Sequence, residues 1–335
     1  MQTCEIRQGP CGARGEESTP RPPAFFGAKM AYGICCILIG SDIDAPTKFQ
    51  KMTYAAFSKM DRQAALEVLG SRILNNINST FDAIKFCRGK GYCYRLSSDL
   101  FPLVTYDKAE MAVCDLPQHG LIENAFLSIR EYLAANPVRI STHPDQFNVL
   151  ATENEESLTR TVRELNFQSW ILDQMGCPAD YSSPINIHVN NSKGSLNEIA
   201  GRFKRGLELL DANCRSRLVV ENEDKASGWS VKKLAQLHGE TGCPITFDFL
   251  HHKCHPDGMT EEQALRLCHE TWGEYKPLFH YSESRDAANP RAHADYPSDS
   301  PENYGLDFDL DFEFKMKDRA VALFEERLLQ TVGLT

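Results

Sequence analysis

His143, His188, Glu221, Asp248, His280 and Glu313 share one placement: each sits at or just inside the carboxyl end of a short apolar run. His251 follows Asp248 by three residues, and His293 follows His280 by thirteen. A single histidine at a strand end is ordinarily a hydrogen-bonded structural residue. Five imidazoles and three carboxylates gathered at one rim are a different case. Without cations they would leave like charges and unpaired polar groups in a partly buried cup, which is costly. Divalent metal ions remove that cost. Mixed His and carboxylate ligation suits zinc or manganese, and a bridging carboxylate such as Glu221 can hold two ions roughly 3.5 to 4 Å apart.

Such a cluster lowers the pKa of bound water, giving hydroxide near neutral pH, and offers positive charge to the leaving oxygen of an in-line displacement. Phosphodiester hydrolysis is the natural reaction. Metal-dependent barrel enzymes that isomerise or epimerise sugars use the same strand-end pattern of Glu, Asp, His and Glu. The ligands alone leave both chemistries open.

The elements that must position these residues are legible as an alternation. Eight β-branched or apolar runs are strand candidates: "AYGICCILI", "YCYRLSS", "VRISTH", "PINIHV", "RLVVEN", "PITFDF", "PLFHYS" and "LDFDLDFEF". Most are separated by helical stretches. Ile122, Phe126, Ile129 and Leu133 fall on one helical stripe, and Ser195 with Glu198 and Thr260 with Gln263 form capping boxes that open two later helices. Eight β/α repeats predict a (β/α)8 TIM barrel with the metal site at the C-terminal mouth of its strands, and an irregular connection over 283–306. A doubly wound open sheet is the competitor. It would usually carry a glycine-rich phosphate loop after its first strand, and "ILIGSDIDAPT" is not one.

With 335 residues, 42% of them apolar and 24% charged, the chain can bury a large core. Residues 1–29 are rich in Pro, Gly, Arg and Glu and read as a disordered tail before a domain spanning 30–335. No long apolar run or secretory signal is present, so a soluble intracellular protein is expected, cytoplasmic or nuclear and not secreted. No strong basic cluster marks nuclear import. The twelve cysteines are scattered and read mostly as reduced, buried thiols. A net charge of −10 argues against non-specific coating of nucleic acid but allows a local basic groove around an acidic metal centre.

The strings "YRLSSDLFPL", "STHPDQF", "VENED", "DFLHH", "HYSES" followed by "AHADY", and "DLDFEFKMK", in this order, resemble the UV damage endonucleases, relatives of the endonuclease IV class of abasic-site nucleases. The resemblance covers about residues 30 to 320. It implies a DNA repair enzyme of excision repair that nicks damaged double-stranded DNA 5′ of UV photoproducts and abasic sites. It implies two or three divalent ions, manganese above zinc or magnesium, on His143, His188, Glu221, Asp248, His251, His280, His293 and Glu313. Glu221, Asp248, His280 and Glu313 are the residues expected to carry catalysis. The family's wedge, a Gln and an aromatic that enter the duplex at the lesion, falls on Gln146 and Phe147. Phe147 keeps the stacking face of the family's usual Tyr and loses its hydroxyl. A further DNA-contacting Tyr of the first strand aligns with Tyr32. No membrane partner is expected, and the oligomeric state expected is a monomer.

Two departures bear on rate and lesion preference. Tyr106 stands where the family has a histidine, and Leu278 stands where it has a lysine that can be carboxylated beside the metals. Lys193 and Lys315 can support phosphate contacts, but each reads first as a solvated surface residue. A sugar isomerase or epimerase on the same barrel and a non-catalytic damage-binding relative are the alternatives.

Overall fold

The computed structural model describes residues 30–40 and 47–331. The tail expected over 1–29 lies outside the described residues. The strands are β1 (Tyr32–Cys35), β2 (Cys93–Leu96), β3 (Ile140–Thr142), β4 (Ile185–His188), β5 (Leu218–Glu221), β6 (Ile245–Thr246) and β7 (Leu278–Tyr281), then β8 (Ser284–Asp286), β9 (Asn289–His293) and β10 (Asp309–Phe312). Eight of them form one parallel sheet in the order β6-β5-β4-β3-β2-β1-β10-β7. A parallel bridge between Asp248 and His280 joins the segment after β6 to β7 and completes the ring.

The helices are α1 (Tyr54–Phe57), α2 (Arg62–Lys90), α3 (His119–Ala135), α4 (Glu155–Gln174), α5 (Leu196–Glu208), α6 (Ala212–Arg215), α7 (Val231–Thr241), α8 (Phe249–Cys254), α9 (Glu261–Glu270) and α10 (Lys317–Thr331). Both predicted capping boxes form, at α5 and α9. The α3 stripe faces inward, with Ile122, Phe126 and Ile129 buried. Each large side chain buried this way contributes about 1.5 to 3 kcal/mol, and an exposed strand of three or four residues would have no such support. The expectation of an irregular connection over 283–306 needs correction. Part of it is the antiparallel hairpin β8–β9, paired Ser284 with His293 and Asp286 with Asn289.

Side chains alternate across a strand, and β1 shows the consequence. Gly33 faces the barrel interior, where an added β-carbon would lie 1.8 Å from Asp311 Oδ1. Tyr32 therefore faces outward, its ring edge-on to Phe312 and Phe324.

The amino-terminal end of the barrel is closed by charge. Asp309 accepts from the Ala31 amide and pairs with Arg139 at 3.0 Å and with Lys276 at 2.9 Å. Arg139 donates further to the carbonyls of Lys276 and Ser182, and Lys276 also pairs with Asp307. Every charge in this group has an opposite partner. No disulfide joins the described cysteines, and Cys35, Cys87, Cys93, Cys214, Cys243 and Cys268 are buried, as expected.

Candidate metal centre

Glu221 ends β5 at the mouth and is 0% exposed. Around its carboxylate lie His143 Nε2 at 3.1 Å, His280 Nδ1 at 3.0 Å, His251 Nδ1 at 3.1 Å and His188 Nε2 at 3.8 Å. These four come from the end of β3, from β7, from α8 and from β4, so parallel register converts distant positions into one ring. His188 is paired directly with Glu221 in the β4–β5 ladder. Asn186, two residues earlier on β4, donates to Glu221 Oε2 and fixes its rotamer.

Asp248 follows β6 by two residues and caps α8: its Oδ1 accepts from the His251 amide at 2.6 Å. Asn222 binds Asp248 through both its main-chain groups, donating to the carbonyl at 3.0 Å and accepting from the amide at 2.8 Å. One carboxylate oxygen is thus spent on local structure, while Oδ2 is buried without a hydrogen-bond partner among the described residues. Glu313, just past β10, is held by Arg95 from β2, which also binds Asp311 at 3.0 Å. His293 reaches the mouth because β9 carries it there; its Nδ1 lies 2.7 Å from the Glu313 carbonyl and 3.7 Å from the Glu313 carboxylate.

Three sets of potential ligands result: His143, Glu221 and His280; His188, Glu221 and His251; Asp248, His280 and Glu313. Within each set the ligand atoms lie within 4.8 Å of one another. Seven of the eight predicted ligands fall in these sets, and His293 borders the third through Glu313. The donor chemistry fits divalent cations, and so do the orphaned atoms. Asp248 Oδ2 and His188 Nδ1 are buried without a hydrogen bond among the described residues. Unpaired groups of that kind cost about 1 to 3 kcal/mol each, which a bound ion would recover.

The local electrostatics fit the same reading. Burial pushes the His188 pKa down to about 4 and raises that of Asp248 from its ordinary value. Burial would also raise Glu221, but His280, His188, His143 and His251 outweigh it and hold the carboxylate well below its ordinary value. Burial opposes charge on His251 and His280, yet Asp248 and Glu221 beside the first, and Glu221 beside the second, raise both. Burial opposes ionisation of Glu313 as well, and the Arg95 guanidinium overrides it. Imidazole protons take the part that cations would take.

Beyond His143 the chain turns outward. Asp145 accepts from the Phe147 amide, Asn148 donates back to the Asp145 carbonyl, and Phe147 is 80% exposed with Gln146 beside it. Asn190, with φ at 46°, braces this turn: its side chain donates to the Gln146 carbonyl at 2.8 Å and its amide to Glu223 at 2.7 Å. Tyr32 does not join this group. It is 6% exposed at the start of β1, packed outward because Gly33 takes the interior face, so the expectation of a lesion contact there is corrected. Tyr106 is 41% exposed with its ring 5.3 Å from Tyr54, while Leu278 is 2% exposed on the same side of β7 as His280. Lys193 and Lys315 are exposed.

Arg95, Asp311, Asn186, Asn222 and Asn190 are site residues that sequence reasoning missed. Arg95 had a signal, a cation inside an otherwise apolar strand run "YCYRL". The asparagines had none, because their role is to hold other side chains.

The UV-endonuclease UvdE family model matches residues 30–332. A UV DNA damage endonuclease of Bacillus cereus (strain G9842) is 27% identical over 294 residues, covering 84% of this chain and 90% of that protein. One from Bacillus velezensis is 28% identical, covering 84% and 89%. The crystal structure of SacUVDE superposes with a TM-score of 0.75 at 26% identity, covering 91% of this chain and 99% of that one. Endonuclease IV from Thermus thermophilus, at a TM-score of 0.52 and 17% identity, shares the fold, covering 75% of this chain and 93% of that one. A barrel with the ligand order of this mouth, matched by the family model over nearly its whole length, belongs to the UV-endonuclease UvdE family.

Proposed function

We propose that the chain is a metal-dependent DNA repair endonuclease that opens the duplex at a lesion and hydrolyses the backbone 5′ of UV photoproducts and abasic sites. A DNA-cleaving hydrolase is the coarser reading that family membership already carries. The observation that supports the finer one is the pairing of three ligand sets around Glu221 and His280 with the exposed Phe147 on the loop that leaves His143.

His143, His188, Glu221, Asp248, His251, His280, His293 and Glu313 would hold two or three divalent ions, manganese above zinc or magnesium. Such ions supply Lewis acidity and positive charge opposite a phosphodiester. Glu221 sits between two of the sets, and Asn186 keeps its carboxylate aimed at both. Arg95 holds Glu313 in place, and capping of α8 engages Asp248 Oδ1 and leaves Oδ2 without a hydrogen bond among the described residues. Gln146 and Phe147 enter the stack where a lesion has already weakened it, since unstacking there costs least. An exposed Phe147 suits a duplex better than an enclosed sugar, for which this turn would have to fold inward as a lid.

Nicking of UV-irradiated plasmid tests the proposal. Manganese- or magnesium-dependent cleavage of irradiated and abasic-site DNA is expected, with little cleavage of intact plasmid and none after chelation. Metal-loaded protein that leaves both damaged substrates intact overturns it.

A further inference from the structure

A cleft with a cavity volume of about 830 Å³ lies beside the mouth, walled by the loop after β5, the end of α8 and the β8–β9 hairpin. Lys225, Lys253 and Arg291 line it. Each wall is the continuation of a segment that carries a candidate ligand. Lys225 lies four residues after Glu221, Lys253 two after His251, Ser284 four after His280, and Arg291 two before His293. The cleft therefore opens directly off the site and not from a remote face of the barrel.

Its charge runs against that of the molecule. The chain carries a net charge of −10, yet three cations meet a single lining carboxylate, Asp224. Asp224 stands 3.7 Å from Arg291, and neither Lys225 nor Lys253 has an ion-pair partner among the described residues. All three cations are exposed, so the cleft is an open groove and not an enclosed small-molecule pocket. Three cations against one carboxylate leave an excess of positive charge that an added anion would offset. Flexible ammonium groups along an open groove suit a run of phosphates, which demands charge at intervals and no base-edge geometry.

We propose that this cleft holds the sugar-phosphate backbone of one DNA strand beside the cleaved bond, with Lys225, Lys253 and Arg291 on successive phosphates. This rests on the DNA-cleaving reading and adds a second anchor to it: the Gln146–Phe147 turn engages the lesion, while the cleft fixes the strand leading from it. Because backbone contacts are blind to sequence, the cleft raises affinity for damaged and intact duplex alike.

The test is the salt dependence of binding, read by fluorescence anisotropy with labelled lesion and intact duplexes. The metal-loaded full chain is compared with a variant carrying Lys225→Ala, Lys253→Ala and Arg291→Ala. Each phosphate contact contributes about 0.9 to the slope of log affinity against log salt, so the variant's slope should fall by about 3. Affinity for both duplexes should fall together, by about tenfold or more at low salt, with unchanged metal content by elemental analysis. A variant that keeps the parent slope overturns the cleft proposal, as does loss confined to the lesion duplex. If the parent nicks no damaged DNA, the functional reading fails by itself; the slope difference on intact duplex still decides the cleft.

Discussion

The two ends of this barrel are both charged, and they are charged in opposite ways. At the amino-terminal end Asp309 meets Arg139 and Lys276, and Lys276 also meets Asp307. At the mouth Arg95 pairs with Asp311 and Glu313, Glu221 is ringed by imidazoles, and Asp248 Oδ2 and His188 Nδ1 are buried without hydrogen bonds among the described residues. The first cluster is complete within the chain and acts as a plug. The second keeps buried ligand atoms unpaired, which added cations would satisfy. A structural ion-pair network and a site for ligands are thus distinguished by what each leaves unpaired, not by how many charges each holds.

Replacing the shared ligand at the mouth should give the largest effect. Glu221→Gln keeps the shape and removes the charge that two ligand sets share. Nicking should fall roughly a thousandfold, the loss of about 4 kcal/mol of charge stabilisation, and bound metal measured by elemental analysis should fall with it. Parent-level cleavage by this variant would break the contrast at its stronger end. The mirror experiment is Asp309→Ala, which takes the carboxylate from Arg139 and one of two carboxylates from Lys276. It should cost about 3 kcal/mol in urea unfolding, as breaking a buried pair does, while metal content and nicking per folded molecule stay at parent level. Loss of metal in this variant would show that the two ends are not independent.

Asn190→Ala releases the turn that carries Gln146 and Phe147. Losing one hydrogen bond of about 1 kcal/mol should lower the ratio of nicking on lesion to intact duplex by about fivefold, with metal content unchanged. The smallest effect concerns pH. Burial disfavours charge on Lys276, but Asp309 and Asp307 outweigh it and raise its pKa above 10.5. The charged form is therefore favoured in the folded state. Its contribution is complete below pH 10.5 and is lost as pH rises through the raised value. Urea midpoints should fall across that window in the parent, and Lys276→Met should flatten the fall.

Much of this site was legible in the sequence because parallel barrel strands end at one mouth. Knowing that His188 and Glu221 both end strands was enough to place them at one mouth, and β4–β5 register sets them side by side. Tyr32 was misplaced because one-residue differences reverse the face of a strand, and only the position of Gly33 against Asp311 reveals which face is inside. The hairpin β8–β9 was hidden because its polar segment "SRDAANPRAH" has no apolar alternation. Its strand residues are exposed except Ser284, Ala292 and His293, which are half-buried where the hairpin meets the mouth.

The sequence by itself determined the barrel, the candidate ligand positions at its strand ends and the turn after His143, since these follow from periodicity and from residue types at strand ends. The tertiary structure alone decided that Glu221 lies within reach of four imidazoles and that Arg95 crosses from β2 to Glu313. It also decided that Lys225, Lys253 and Arg291 share one cleft. Those facts depend on which strands neighbour one another and how far each side chain reaches, and neither quantity is written in local spacing.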